Sequence, residues 1–275
     1  MRDDKKNSEY FSDCIAVTKK ARDERMPVAE TFHRVESRPI MSAGMCKDAF
    51  QICVLQFSRG DALEEIRPNV WDWVKAKEIH SRIVGAIPPE RKSEKIMYQR
   101  VTLDKVYDAL TMMAFARALH FNLSEMQRLF GAIGYFGEDA LIDEAARALG
   151  DAKRAVAEAC KFPKVYDPLL EVWRSDPAER SAKLLAFSKI WKKKIKPIYW
   201  SDSLNGAEGA YFGYWCFDVA LAAMALGIED EKLRDNPYYP KDLVDAAREK
   251  KWLAQSCTSY RLAQDHGGLW GCSDA

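Results

Sequence analysis

Apolar side chains recur along most of this chain at helical rather than alternating spacing. The clearest run is Leu103, Val106, Tyr107, Leu110, Met113 and Ala114, which lines one face of a helix. Upstream, Met45, Phe50, Ile52, Val54 and Leu55 predict a first buried helix over 42–58. Arg59-Gly60-Asp61 turns the chain, and Asp61 is placed to cap a second helix through Ala86, kinked or broken at Pro68 and ended by Pro88-Pro89. Ser124 and Gln127 read as a capping box for a helix through Ala132. Gly134 and Gly137 break that helix, Glu138–Leu149 resumes one, and Asp151 is placed to cap another through Cys160. Further helices are expected from Lys164 to Trp173 and from Asp176-Pro177-Ala178-Glu179 to the stop at Pro197. No strand alternation or hairpin turn interrupts this pattern. The expectation is an all-α, multi-helix globular bundle with N-terminal and C-terminal helical parts packed together. Its divisions are a charged arm over 1–40, partly helical, an N-terminal helical domain over 41–160 and a C-terminal one over 161–275.

The stretch after Trp200 departs from amphipathic patterning. Between Ala207 and Leu226 only Glu208 and Asp218 are charged, so a helix of about twenty residues here would be apolar all round and buried. Its length raises a membrane span. The glycines at 206, 209 and 213 and the carboxylate at its centre argue against one. Gly227 ends the helix, Asp230 caps one short turn over Glu231–Arg234, and Pro240 opens a last helix. Tyr211, Tyr214, Trp215 and Tyr239 are expected in the core. Asp218 is expected there too, as an anchor for a tyrosine, tryptophan or arginine of a neighbouring helix. A general acid or base is the competing role for that carboxylate.

Composition narrows the partners. Lys and Arg number 42 against 41 Asp and Glu, a net charge of +1, which argues against a protein made mainly to hold nucleic acid or an anionic membrane. The seven cysteines form no C-x-x-C pair, and the charged N-terminus lacks the apolar run of a secretion signal. A cytoplasmic, thiol-reduced protein without metal or cofactor is expected. His33, His80, His120 and His266 stand far apart, and no phosphate-binding loop, nucleophile elbow or dinucleotide fingerprint occurs, so an enzyme is not expected. Trp191-Lys192-Lys193-Lys194-Ile195-Lys196 with Tyr199 and Trp200 mixes basic and aromatic groups as single-strand binders do. Lysines at a helix C-terminus are the plainer account.

Three elements in order, Tyr211-Phe212-Gly213-Tyr214-Trp215, Gly227-Ile228-Glu229-Asp230-Glu231 and Pro237-Tyr238-Tyr239-Pro240-Lys241-Asp242-Leu243, resemble the C-terminal domain of PoNi-type immunity proteins. Phe162-Pro163-Lys164-Val165-Tyr166, Trp191 and Trp200-Ser201-Asp202 extend the likeness. Leu55-Gln56-Phe57-Ser58-Arg59-Gly60 and Gly137-Glu138-Asp139-Ala140-Leu141-Ile142-Asp143 also fit it, giving coverage of roughly residues 45–250. Asp218 stands where the family more usually carries glutamate. The tail beyond Lys251, with His266-Gly267-Gly268-Leu269-Trp270, matches nothing in it.

The resemblance implies a non-catalytic protein, encoded beside a toxin that is often delivered by a type VI secretion system. Such a protein binds the toxin's DNase domain and shields the producing bacterium. A DNase presents a basic groove, so acidic side chains are the expected contacts. The candidates are Glu229, Asp230, Glu231 and Asp235, joined by Asp202 and Glu208, and a second group of Glu138, Asp139, Asp143 and Glu144. Ordinary solvated helix ends are the competing account of both groups.

Overall fold

The computed structural model describes residues 1–249, and these contain eleven α-helices and no strand. The helices are α1 (Ser8–Arg25), α2 (Arg38–Arg59), α3 (Leu63–Gly85), α4 (Lys92–Gln99), α5 (Leu103–Ala118) and α6 (Leu123–Ile133). They continue with α7 (Ala140–Ala148), α8 (Pro163–Arg174), α9 (Pro177–Lys194), α10 (Phe217–Leu226) and a last helix, α11, over 241–249. Cys257, His266 and the tail motif lie outside the described residues.

Two largely buried helices sit at the centre, and the second of them is apolar nearly all round. In α5, Val106, Leu110, Met112, Met113, Ala114, Phe115 and Ala116 are all buried; in α10 every residue from Phe217 to Met224 is. A helix without a polar face has to be surrounded. Accordingly α10 packs on α5 and also meets α7, α8 and α9, while α2 is sandwiched between α1 and α3. The N-terminal and C-terminal parts therefore share one core through the α5–α10 pair. The arm is built into it as well. Phe11 and Ile15 of α1 are buried, and Arg22 pairs with Asp72 of α3 at 3.0 Å while donating to Asn69 at 2.9 Å.

The apolar helix is half the expected length. Tyr211–Cys216 has no regular secondary structure, and helix begins only at Phe217. Gly213 explains the difference. Its φ is +115°, and a Cβ there would lie 2.2 Å from Ser58 Oγ and 2.7 Å from Trp215 Nε1. This irregular backbone is buried, so its polar groups need partners, and other segments supply them. Ser58 donates to Phe212 O at 2.8 Å and accepts from Trp215 Nε1 at 2.9 Å. Tyr107 donates to Trp215 O at 2.6 Å. Tyr10 donates to Tyr211 O at 2.9 Å and accepts from Tyr211 N at 3.1 Å. Tyr211, Tyr214, Trp215, Asp218 and Tyr239 are all buried. Tyr211 donates to Asp3 at 2.5 Å, so the N-terminal residues close over this segment.

The shortened helix moves Asp218 from a helix centre to the first turn. There Oδ2 accepts from Trp191 Nε1 at 3.1 Å and Oδ1 from Val219 N at 2.9 Å. A helix N-terminus favours a carboxylate, yet complete burial wins and pushes its pKa up to about 7.

Local start signals were also displaced. The box at α6 is Asn122 with Glu125, not Ser124 with Gln127: Asn122 Oδ1 accepts from Glu125 N at 3.0 Å and Glu125 accepts from Asn122 N at 2.8 Å. Asp61 pairs with Arg59 at 2.7 Å instead of capping α3, where Glu65 takes the Ala62 N–H. Pro68 lies inside an unbroken α3, five residues from its start. Residues 151–160 form no helix.

Candidate functional site

The two acidic groups fold in opposite ways. Around 138–144 the aspartates turn inward. Asp139 caps α7, with Oδ1 accepting from Leu141 N and Ile142 N at 3.0 and 3.1 Å and Oδ2 from Lys161 N at 2.8 Å. Burial raises its pKa against those three donors. Asp143 accepts from Arg154 Nε at 2.5 Å and from Ala157 N at 3.1 Å, and both side chains of this ion pair are fully buried. Arg154 also donates to Gly134 O at 2.7 Å and lies 4.3 Å from the Phe136 ring centroid. Two carboxylates thus gather the donors of 151–161, which accounts for the missing helix there. Asp139 and Asp143 are corrected from candidate contacts to internal staples. Glu138 is exposed, and Glu144 is tied to Arg174 at 3.0 Å.

After α10 only one acid turns in. Gly227 adopts φ +65° and ends the helix as expected. Ile228 and Leu233 are buried, and Glu231–Leu233 makes one 3₁₀ turn. Asp230, almost wholly buried, caps nothing; it accepts from Arg248 of α11 at 2.5 Å and pairs with Arg234 at 3.2 Å. Arg248 also donates to Ile228 O at 2.9 Å, and Arg234 pairs with Asp245. Asn236 donates to Ser188 O of α9 at 2.9 Å. Asp230, a candidate contact by sequence, is therefore the internal clamp of this loop. The clamp leaves Glu229, Glu231 and Asp235 exposed on a backbone fixed from both sides.

Asp235 borders a pocket of about 500 Å³ with Lys189, Lys192 and Lys232, so the acids stand beside lysines. Lys192 lies 3.3 Å from the Tyr214 ring centroid, and burial lowers its pKa to about 8, with Asp202 opposing the shift. Asp202 is thereby placed toward this face. Glu208 is exposed, and its charge adds slightly to the burial that raises the pKa of Tyr10 and Cys14 of α1. Trp191 and Trp200 are buried, so the lysine-rich end of α9 presents neither as a stacking surface. Among the described residues, no group of three or more His, Cys, Asp or Glu is placed to hold a metal, and no helix is long and apolar enough to cross a membrane.

Sequence reasoning missed Arg154, Arg248 and Ser58 as the partners that set these loops. Nothing in a single sequence marks which arginine will meet which aspartate across 11 or 18 positions.

No curated protein matches the chain. Among solved structures, protein PA2201 from Pseudomonas aeruginosa shares the fold, with a TM-score of 0.65 at 19% identity over 88% of each chain. Residues 137–243, which hold both acidic groups and the irregular aromatic segment, match the family described as PoNe immunity proteins (PoNi), C-terminal. Over that stretch the chain is similar to the PoNi-type immunity proteins.

Proposed function

We propose that the chain neutralises a cognate DNase toxin by direct binding, and that Glu229, Glu231 and Asp235 form the centre of the contact, with Asp202 at its edge. The observation that carries this reading is the Asp230 clamp. It holds three carboxylates outward on a loop secured to α9 and α11. Preorganised acids aimed at a basic nuclease groove raise the association rate and select the partner, while little ordering entropy is lost on binding. The neighbouring Lys189 and Lys232 make the face one of mixed sign, which discriminates among toxins by rejecting mismatched charge. Such a protein works by stoichiometric occupancy in the cytoplasm of the producing cell, needs no cofactor, and has its partner encoded by the adjacent gene.

The test takes the C-terminal domain of the neighbouring gene product and follows DNA cleavage with and without equimolar chain. Inhibition that tracks a stable complex supports the reading. Unchanged cleavage by a folded nuclease in the presence of the folded chain overturns it.

A further inference from the structure

A cleft in the N-terminal part, remote in sequence from the acidic loop, carries unmatched positive charge. It opens between α3, α4 and the α6–α7 turn with a volume of about 540 Å³, and meets a deeper cavity of about 110 Å³ at Lys77, His80, Ile133 and Tyr135. That is the size range of sites for small metabolites.

The cations in this cleft lack partners that their neighbours have. On α3, Arg67, Lys75 and Arg82 pair with Glu125, Asp72 and Glu30. Lys77, on the same helix, pairs with no carboxylate among the described residues. Its ammonium faces the Tyr135 ring at 5.3 Å. Lys105 donates to Tyr98 O at 2.6 Å and Arg100 O at 2.8 Å. An ammonium has three donors, and the remaining one has no partner among the described residues. Burial lowers its pKa to about 8, so at neutral pH most of the population still carries the charge.

The rest of the wall is shaped to suit an anion. His80 is buried, and burial lowers its pKa to about 4, so it is neutral at pH 7. Ser42 Oγ lies 2.8 Å from His80 Nδ1 and donates its own proton to Pro39 O at 3.0 Å. The neutral ring adds no charge to the cleft. Asp108 lines the deep cavity. Burial, reinforced by the charge of Asp104, raises its carboxyl well above the usual carboxylate range, against the opposing pull of Lys77, Lys105 and Lys47. Glu138 stands at the outer rim, exposed to water. Tyr135 holds φ +56°, a left-handed conformation costly for an aromatic residue and retained where the surroundings demand it.

We propose that this cleft binds a small molecule bearing a carboxylate or phosphate group, with the anion between Lys77 and Lys105 and its body against His80 and Tyr135. The proposal does not rest on the immunity reading. The full chain is titrated calorimetrically with inorganic phosphate and, separately, with succinate, sodium chloride holding ionic strength constant. Saturable binding of phosphate assigns phosphate esters, and of succinate, dicarboxylates. Lys77→Gln with Lys105→Gln is expected to weaken that binding about tenfold or more, whereas Lys189→Gln, in the other pocket, leaves it unchanged. Should the double variant unfold, Lys77→Gln alone with Arg100→Gln at the cleft mouth serves instead. Failure of both anions to saturate, or equal affinity in wild type and the cleft variants, overturns the proposal.

Discussion

The segments 138–144 and 229–235 read alike as runs of acids beside a glycine, yet one is architecture and the other is surface. In the first, Asp139 and Asp143 hold the 151–161 segment in place through its N–H groups and Arg154. In the second, a single carboxylate, Asp230, carries that role and frees its neighbours Glu229 and Glu231. The difference follows from what lies opposite. An irregular loop has unpaired backbone donors that must be met, whereas α11 brings an arginine and needs only one partner. An acidic run in sequence is therefore not an acidic patch until its opposing donors are counted.

The comparison can be broken or sharpened experimentally. Asp143→Ala strands the buried Arg154 guanidinium and should cost about 3–5 kcal/mol in denaturant unfolding, with recovery when Arg154→Met accompanies Asp143→Leu. Equal stability of Asp143→Ala would mean that this acid is not a staple. Asp218 offers a buried carboxylate with no cation. Its folded pKa of about 7 lies above the ordinary 3.8, so it stabilises the fold below about pH 4, and that contribution is lost as pH rises through 7. The loss should be on the order of 2–4 kcal/mol and absent from Asp218→Asn. His80, lowered to about 4, runs oppositely, losing its contribution as pH falls from 6.5, so the wild-type profile alone reports only the balance.

Asp230→Ala leaves half-exposed Arg234 and Arg248 without their shared partner and should cost about 1–3 kcal/mol. Because the loop then loses its direction, inhibition should weaken with it. The smallest effect on folding is expected from reversing Glu229, Glu231 and Asp235 to lysine, within about 0.5 kcal/mol. The same variant should slow toxin association about tenfold at low salt and less at high salt. Glu138→Lys should alter neither stability nor association. If it slows association as much as the triple reversal does, the first segment, not the second, is the contact.

The all-helical class and most helix positions were legible because apolar spacing and Pro and Gly stops are local signals. Gly227 and Pro177 act where periodicity places them. What the chain concealed was non-local. The irregular Tyr211–Cys216 segment reads as helix until Ser58, Tyr107 and Tyr10 are seen to supply its hydrogen bonds from far upstream. Likewise, composition marked the acids of both groups, but inward or outward direction depended on Arg154 and Arg248. The cleft around Lys77 and Lys105 left no motif, since its residues come from helices whose polar positions look like ordinary solvated faces.

The α5–α10 pairing also sets a timetable for synthesis. Helix α5 is finished at Ala118, but the partner that covers it is completed only at Leu226. At roughly 5–20 residues per second, the ribosome adds that intervening length in about 5–20 s. Throughout that interval Met112, Met113 and Phe115 lack their final cover, and the aromatic segment has not yet met Ser58. A chain interrupted within this window presents bare apolar surface in place of a smaller working protein, a substrate for chaperones and proteases. Dose in the cell is then a count of finished chains.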